Sequence, residues 1–140
     1  MATNVKALLE GHDADAQAIG APGRDWLTYG GLRALSDEVR TSLRGFGVGP
    51  SDRVAIVLPN GPELAAAFVT IAQAATTAPL NPAYRADDYK FYLEDPGAKA
   101  VVLAQRYEGP ALAAANALGL AVLRTAVAAD HPAGLSTPAA

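Results

Sequence analysis

A chain of 140 residues with 51% hydrophobic but only 6% aromatic side chains has room for one domain with a shallow, alanine-rich core, and a length that buries roughly 68–70% of the unfolded surface. Its net charge of −3 and 18% charged residues exclude the basic field that nucleic acid or anionic lipid would need. The absence of cysteine excludes a disulfide framework and thiol chemistry, and suits a reducing compartment.

The N-terminal MATNVKALLEGHDADA has no basic region followed by an apolar stretch and a small-residue cleavage site, so no secretory signal is expected. No run of about 18 apolar residues is free of proline and charge, so no membrane span is expected either. The expected location is cytoplasmic. Residues 5–9 form a short helical pattern with Asn4 as candidate N-cap. Residues 11–22 are small and polar and predict a loop; Asp25, Trp26 and Leu27 predict a brief extended segment.

Thr28 is placed to cap the clearest helix. Tyr29, Leu32, Leu35, Val39, Leu43 and Phe46 recur at intervals of three and four, giving one apolar stripe. Arg33 and Asp37 are spaced for an i,i+4 pair worth ~0.3 kcal/mol, and Gly45 and Gly47 supply a left-handed stop. Residues 53–58 are apolar and β-branched without alternation, as in a strand covered on both faces. A helix over 60–75 follows, with Leu64, Phe68, Ile71 and Ala75 inward, then a second strand at 76–80. The next helix spans 86–95, carries Tyr89, Tyr92 and Leu93 on one face, and ends at Pro96-Gly97. A third strand at 98–104, a helix opened by Pro110 and running to about Leu118, and a fourth strand at 120–123 complete the order. Strand–helix alternation with short connections predicts an α/β fold: a mostly parallel sheet with helices on both faces. Residues 1–125 are expected to form this unit and 126–140, small and Pro/Gly-containing, a linker or frayed end.

The turn Pro59-Asn60-Gly61-Pro62 joins strand to helix, a position where many α/β proteins hold a phosphate. Asn60 with Glu63 three residues on predicts a capping box, worth about 1 kcal/mol. A carboxylate in that first turn opposes a bound anion, Pro62 removes a donor, and no lysine or arginine follows closely. The corner is therefore expected to be structural. Gly47-Val48-Gly49-Pro50-Ser51-Asp52 has the look of a dinucleotide fingerprint, but it follows a helix, precedes a strand and has Asp52 in place of the third glycine. The pairs Asp37-Glu38 and Asp87-Asp88 lack further ligands at helical spacing, and His12 and His131 stand in polar flanks. Trp26 and the tyrosines lack the interleaved basic residues of a single-strand binding face, and are expected in core or rim.

LTYGGLRALSDEVRTSLRGFGVGPSDRVAIVLPNGPELAAAF and APLNPAYRADDYKFYLEDPGAKAVVL resemble the start of AMP-forming acyl-CoA synthetases, the adenylate-forming ligase superfamily. The carrying pieces are Thr28-Tyr29 with Leu32, GVGPSDRVAI, Pro59-Asn60 with Glu63, and Pro79-Leu80-Asn81-Pro82. Tyr92-Leu93 and the strand from Ala98-Lys99 also match. The wording is closest to the oxalate–CoA ligase branch. Two departures stand out: Gly31 where the family often has Glu, and Ala74-Ala75-Thr76-Thr77 where the family commonly has a glycine before the PLNP strand.

The resemblance covers about the first quarter of such an enzyme. It implies a parent reaction in which a carboxylate attacks the α-phosphate of ATP with Mg²⁺, after which the CoA thiol displaces AMP. The phosphate loop, metal-binding glutamate, ribose-binding aspartate and catalytic lysine of the family find no motif context here. No catalytic, cofactor-binding or metal residue is therefore assigned. The chain alone is expected to be inactive; its implied partner is the remainder of the synthetase, and exposed apolar surface favours self-association. Two other classes stay open: a free-standing flavodoxin-like or receiver module, although the acids or Ser/Thr-rich loop these need after strand one are missing, and a non-catalytic scaffold.

Overall fold

Two apolar cores lie back to back across one parallel sheet, and the sheet's alternation creates both. The protein is known from a computed structural model that describes residues 3–126 and 131–134; residues 127–130 and 135–140 of the expected tail lie outside the described residues. In chain order the elements are α1 (Val5–Glu10), β1 (Gln17–Ile19), β2 (Leu27–Thr28), α2 (Tyr29–Gly45), β3 (Arg53–Val57), α3 (Pro62–Ile71), β4 (Thr76–Pro79), α4 (Ala86–Glu94), β5 (Ala98–Ala104), α5 (Pro110–Ala117) and β6 (Ala121–Thr125). The strands β4-β3-β5-β6 pair in that order, all parallel, with Ile56 opposite Pro79 and Val102 and Val102 opposite Leu123.

Side chains alternate across a strand, so a strand apolar at every position serves both faces. Val54, Ile56, Leu58, Ala100, Val102 and Leu123 enter the core closed by α2 and α3. Ala55, Val57, Val101 and Leu103 enter the opposite core, with Tyr89 and Leu93 of α4 and Ala111, Ala114 and Ala115 of α5. Helices thus cover both faces, as the strand–helix alternation predicts. The α5 face is nearly all alanine, which brings that helix close to the sheet.

Two helices, α1 and α2, start at side-chain caps. Asn4 accepts from the Ala7 amide at 2.8 Å, and Thr28 from the Gly31 amide at 3.1 Å. The α2 stripe of Leu32, Leu35, Val39 and Leu43 is buried, but its last member, Phe46, is 37% exposed. Phe46 lies just past the helix end, where the chain turns through Gly47 at φ +75°; Gly45 is still helical. Gly31, which propensity alone marks as a weak point, has a packing reason: a Cβ there would lie 2.9 Å from Cδ1 of the buried Leu27.

Several expectations are corrected. Residues 11–22 are not all loop, because β1 pairs antiparallel with β2. The Arg33–Asp37 pair is not made. Arg33 donates to the Leu9 and His12 carbonyls at 2.8 and 3.0 Å, closing the end of α1, while Asp37 pairs with Arg40 at 2.9 Å. The α3 helix stops at Ile71 rather than Ala75 and turns Ala66, Ala67, Thr70 and Ile71 inward; Phe68 is 43% exposed. Tyr92 likewise faces out, stacked on Tyr84 at 5.1 Å between ring centroids. The last strand runs to Thr125, two residues beyond the expected end.

Candidate functional site at the carboxyl edge of the sheet

In an open parallel sheet, ligands bind beyond the carboxyl ends of the strands where the winding reverses. Here β3 has β4 on one side and β5 on the other, and the connections pack on opposite faces, α3 in one core and α4 in the other. The loops at that edge are residues 58–61, 80–82 and 105–107.

Backbone hydrogen bonds carry the sheet's order into these loops: the Leu80 amide donates to the Ile56 carbonyl at 2.9 Å, and the Gln105 amide to Thr125 at 3.0 Å. Asn81 folds its own turn, its Oδ1 accepting from the Ala83 amide at 2.9 Å. Its carbonyl accepts from the Tyr89 hydroxyl at 2.7 Å. Burial, reinforced by Tyr107, pushes the Tyr89 phenol up to about 12. Tyr107 in turn accepts from the Ala111 amide at the start of α5 at 3.1 Å. The face toward α4 and α5 is therefore locked by the hydroxyls of Tyr89 and Tyr107.

On the β4 side the edge opens. A groove of ≈ 470 Å³ runs between Leu58, Pro59, Asn60 and Leu64 on one wall and Leu80, Asn81 and Pro82 on the other. It continues along α3 into a hollow of ≈ 440 Å³ lined by Gly61, Leu64, Ala65, Phe68 and Pro79. The walls are apolar apart from the carboxamides of Asn60 and Asn81, neutral groups that can shape a ligand or hydrogen-bond it but cannot move a proton at ordinary pH. Among the described residues no group of three or more His, Cys, Asp or Glu could hold a metal ion.

The corner at Asn60 is built differently from the expected capping box. Gly61 is the N-cap of α3, and no side chain caps it. The Glu63 carboxylate instead pairs with the Arg24 guanidinium, thirty-nine residues earlier, with both side chains largely buried. Arg24 also donates to the Pro132 carbonyl at 3.1 Å. Sequence spacing from Glu63 could not reveal Arg24, because the antiparallel β1–β2 excursion brings it back over the helix start. The ion pair neutralises the acid and occupies the arginine, so the corner offers no spare cation to an anion.

Asp52, Asp88 and His12, also singled out in sequence, make contacts within the fold. The Asp52 carboxylate accepts from the Gly49 amide at 2.7 Å and meets Lys99 at 3.4 Å. The Gly49 hydrogen bond holds it below the ordinary carboxylate value of 3.8 against the opposing effect of desolvation, with a lesser lowering from Lys99. The fingerprint-like stretch is thus a turn closed by its own aspartate. Asp88 accepts from the Arg85 amide at 3.1 Å, at the start of α4, and the His12 ring stacks on Tyr29 at 4.1 Å. No helix among the described residues is long and apolar enough to cross a membrane.

The AMP-binding enzyme family matches residues 7–137. An oxalate–CoA ligase of Arabidopsis thaliana is 35% identical over 74% of this chain and 21% of its own length. A probable CoA ligase, CCL9, of Humulus lupulus is 34% identical over 86% of this chain and 22% of its own. The crystal structure of apo MatB from Rhodopseudomonas palustris superposes with a TM-score of 0.78 at 26% identity, covering 90% of this chain and 26% of that one. The chain thus spans about a fifth of the length of these curated relatives. With the family matching nearly its whole length, and with the parallel sheet of that family's N-terminal region, the chain belongs to the AMP-binding, adenylate-forming enzymes.

Proposed function

We propose that this chain is the N-terminal wall of an AMP-dependent acid–CoA ligase, which converts a carboxylate, ATP and CoA into acyl-CoA, AMP and pyrophosphate. The observation that carries the reading is the family match across residues 7–137. Relatives whose names specify CoA ligation support it. Residues 1–125 form the wall, against which the described residues 131–134 are seated; the remainder of the synthetase is the partner. ATP, Mg²⁺ and CoA are handled by residues outside this chain, which contributes shape and two carboxamides at the sheet's edge. A small carboxylic acid, as in the oxalate–CoA ligase relative, is the substrate class, and the cysteine-free composition suits a cytoplasmic location.

Adenylation needs in-line positioning and charge stabilisation around the α-phosphate. At the Asn60 corner the nearby arginine, Arg24, is committed to Glu63, and further along the edge Arg124 is committed to the carbonyls of Ala104, Gln105 and Tyr107. The chain alone is therefore inactive. ATP–pyrophosphate exchange tests this: with oxalate, malonate or acetate the purified chain should exchange no label above blank. Exchange above blank with any of them would overturn the reading.

A further inference from the structure

We infer that Arg24 is a clasp: it holds residues 131–134 over the start of α3 as a small cover that can open without unfolding the sheet. Three stretches far apart in sequence meet there. Arg24 spans two of them, with one guanidinium nitrogen on Glu63 and the other on the Pro132 carbonyl. Next to it, the Ala133 amide donates to the Asp25 carbonyl at 2.8 Å, and Ala133 is fully buried. Gly134 completes the seat: its φ is +82°, and a Cβ there would stand 2.7 Å from the Pro62 carbonyl and 3.0 Å from Ala66 Cβ. Only a residue without a side chain fits that approach.

The seat is small and mostly polar. It rests on one ion pair, two hydrogen bonds and one alanine, whereas the sheet rests on two large apolar cores. Segments with few buried apolar contacts open at lower free energy than the core. Arg24 is the only side chain that links α3 to residues 131–134 by hydrogen bonds among the described residues, and its Nε is buried without a partner. That unpaired donor weakens the seat further. Opening would uncover the uncapped first turn of α3, with the Glu63 and Leu64 amides, beside the groove at Asn60 and Gly61. Arg24 is thus a positioning residue for the corner of the candidate site. This holds whether or not the chain is part of a ligase.

Amide hydrogen exchange read residue by residue by NMR tests the clasp, with Arg24→Met, which keeps most of the apolar stem, and Gly134→Ala as an independent route to opening. In both variants exchange at Ala133 should accelerate about tenfold or more, while Val102 and Leu103 of β5 exchange as in the parent. Arg24→Lys, which keeps one charge but loses the fork, should give an intermediate rate. Unchanged exchange at Ala133 in Arg24→Met would overturn the proposal. So would acceleration of Ala133 and β5 together by the same factor, since the seat would then open only with global unfolding.

Discussion

Asp52 shows how a single side chain can counterfeit a functional signal. In sequence it occupies the place of a missing glycine in a Gly-rich stretch; in the structure it closes that stretch by accepting from Gly49 and meeting Lys99. Its folded pKa lies below the ordinary value of 3.8, so the folded state holds its proton less tightly than the unfolded chain does. That contribution to stability is present above about pH 4 and is lost as pH falls through the lowered value. Asp52→Asn should therefore lower stability at neutral pH and flatten the acid limb of a urea-denaturation series between roughly pH 5 and 2. An acid limb unchanged in the variant would mean the carboxylate contributes nothing there. Tyr89 sets the opposite limit: its folded value of about 12 lies above the ordinary 10.0. The stability it contributes is present below pH 10 and is lost as pH rises toward 12. Tyr89→Phe should remove that alkaline loss while leaving the Asn81 carbonyl short of its 2.7 Å donor. Its cost at neutral pH should be about 1–2 kcal/mol in urea.

Elements were legible in sequence wherever a local device defines them. The α2 stripe and the Thr28 cap lie within one stretch of chain, and the glycine and proline stops lie beside the elements they end. Devices that join distant stretches were not legible. Asn60 and Glu63 have the spacing of a capping box, yet the carboxylate finds a better partner in Arg24, and a charge-assisted hydrogen bond displaces the local one. The face of α3 was misread for a related reason. Phe68 is the largest apolar residue of that helix, but the small residues Ala66, Ala67 and Thr70 are the ones α3 turns into the core it shares with the sheet and α2. Two substitutions separate a real cap from an apparent one. Thr28→Ala should cost about 1 kcal/mol, and Asn60→Ala less than about 0.5 kcal/mol, both from urea midpoints at constant slope. A loss at Asn60 equal to that at Thr28 would restore the capping box to α3.

At the scale of the whole molecule, large apolar side chains stand exposed on several elements. The strand order leaves β4 and β6 at the two edges, and beside β4 Phe68 stands exposed over an apolar hollow; Trp26, Phe91 and Tyr92 are further large exposed rings. A chain that spans about a fifth of the length of its curated relatives is expected to show surface that a longer protein would cover. Self-association should follow at high concentration. Light scattering after size exclusion should give a mass that rises with loading, and Phe68→Ser should reduce the rise. A parent mass constant across loadings would count against an adhesive edge. What the groove holds was not legible from sequence, because its walls come from two loops about twenty residues apart that only the parallel pairing of β3 with β4 brings together.

The central claim is that the corner at Asn60 is a wall and that ATP is bound by parts of the enzyme outside this chain. Titration of the ¹⁵N-labelled chain with Mg·ATP, followed at the backbone amides of Asn60, Gly61, Glu63 and Leu64, tests it most directly. The expected result is no saturable shift at these four amides up to millimolar nucleotide. A saturable shift centred on them would place a nucleotide on the turn and contradict the account.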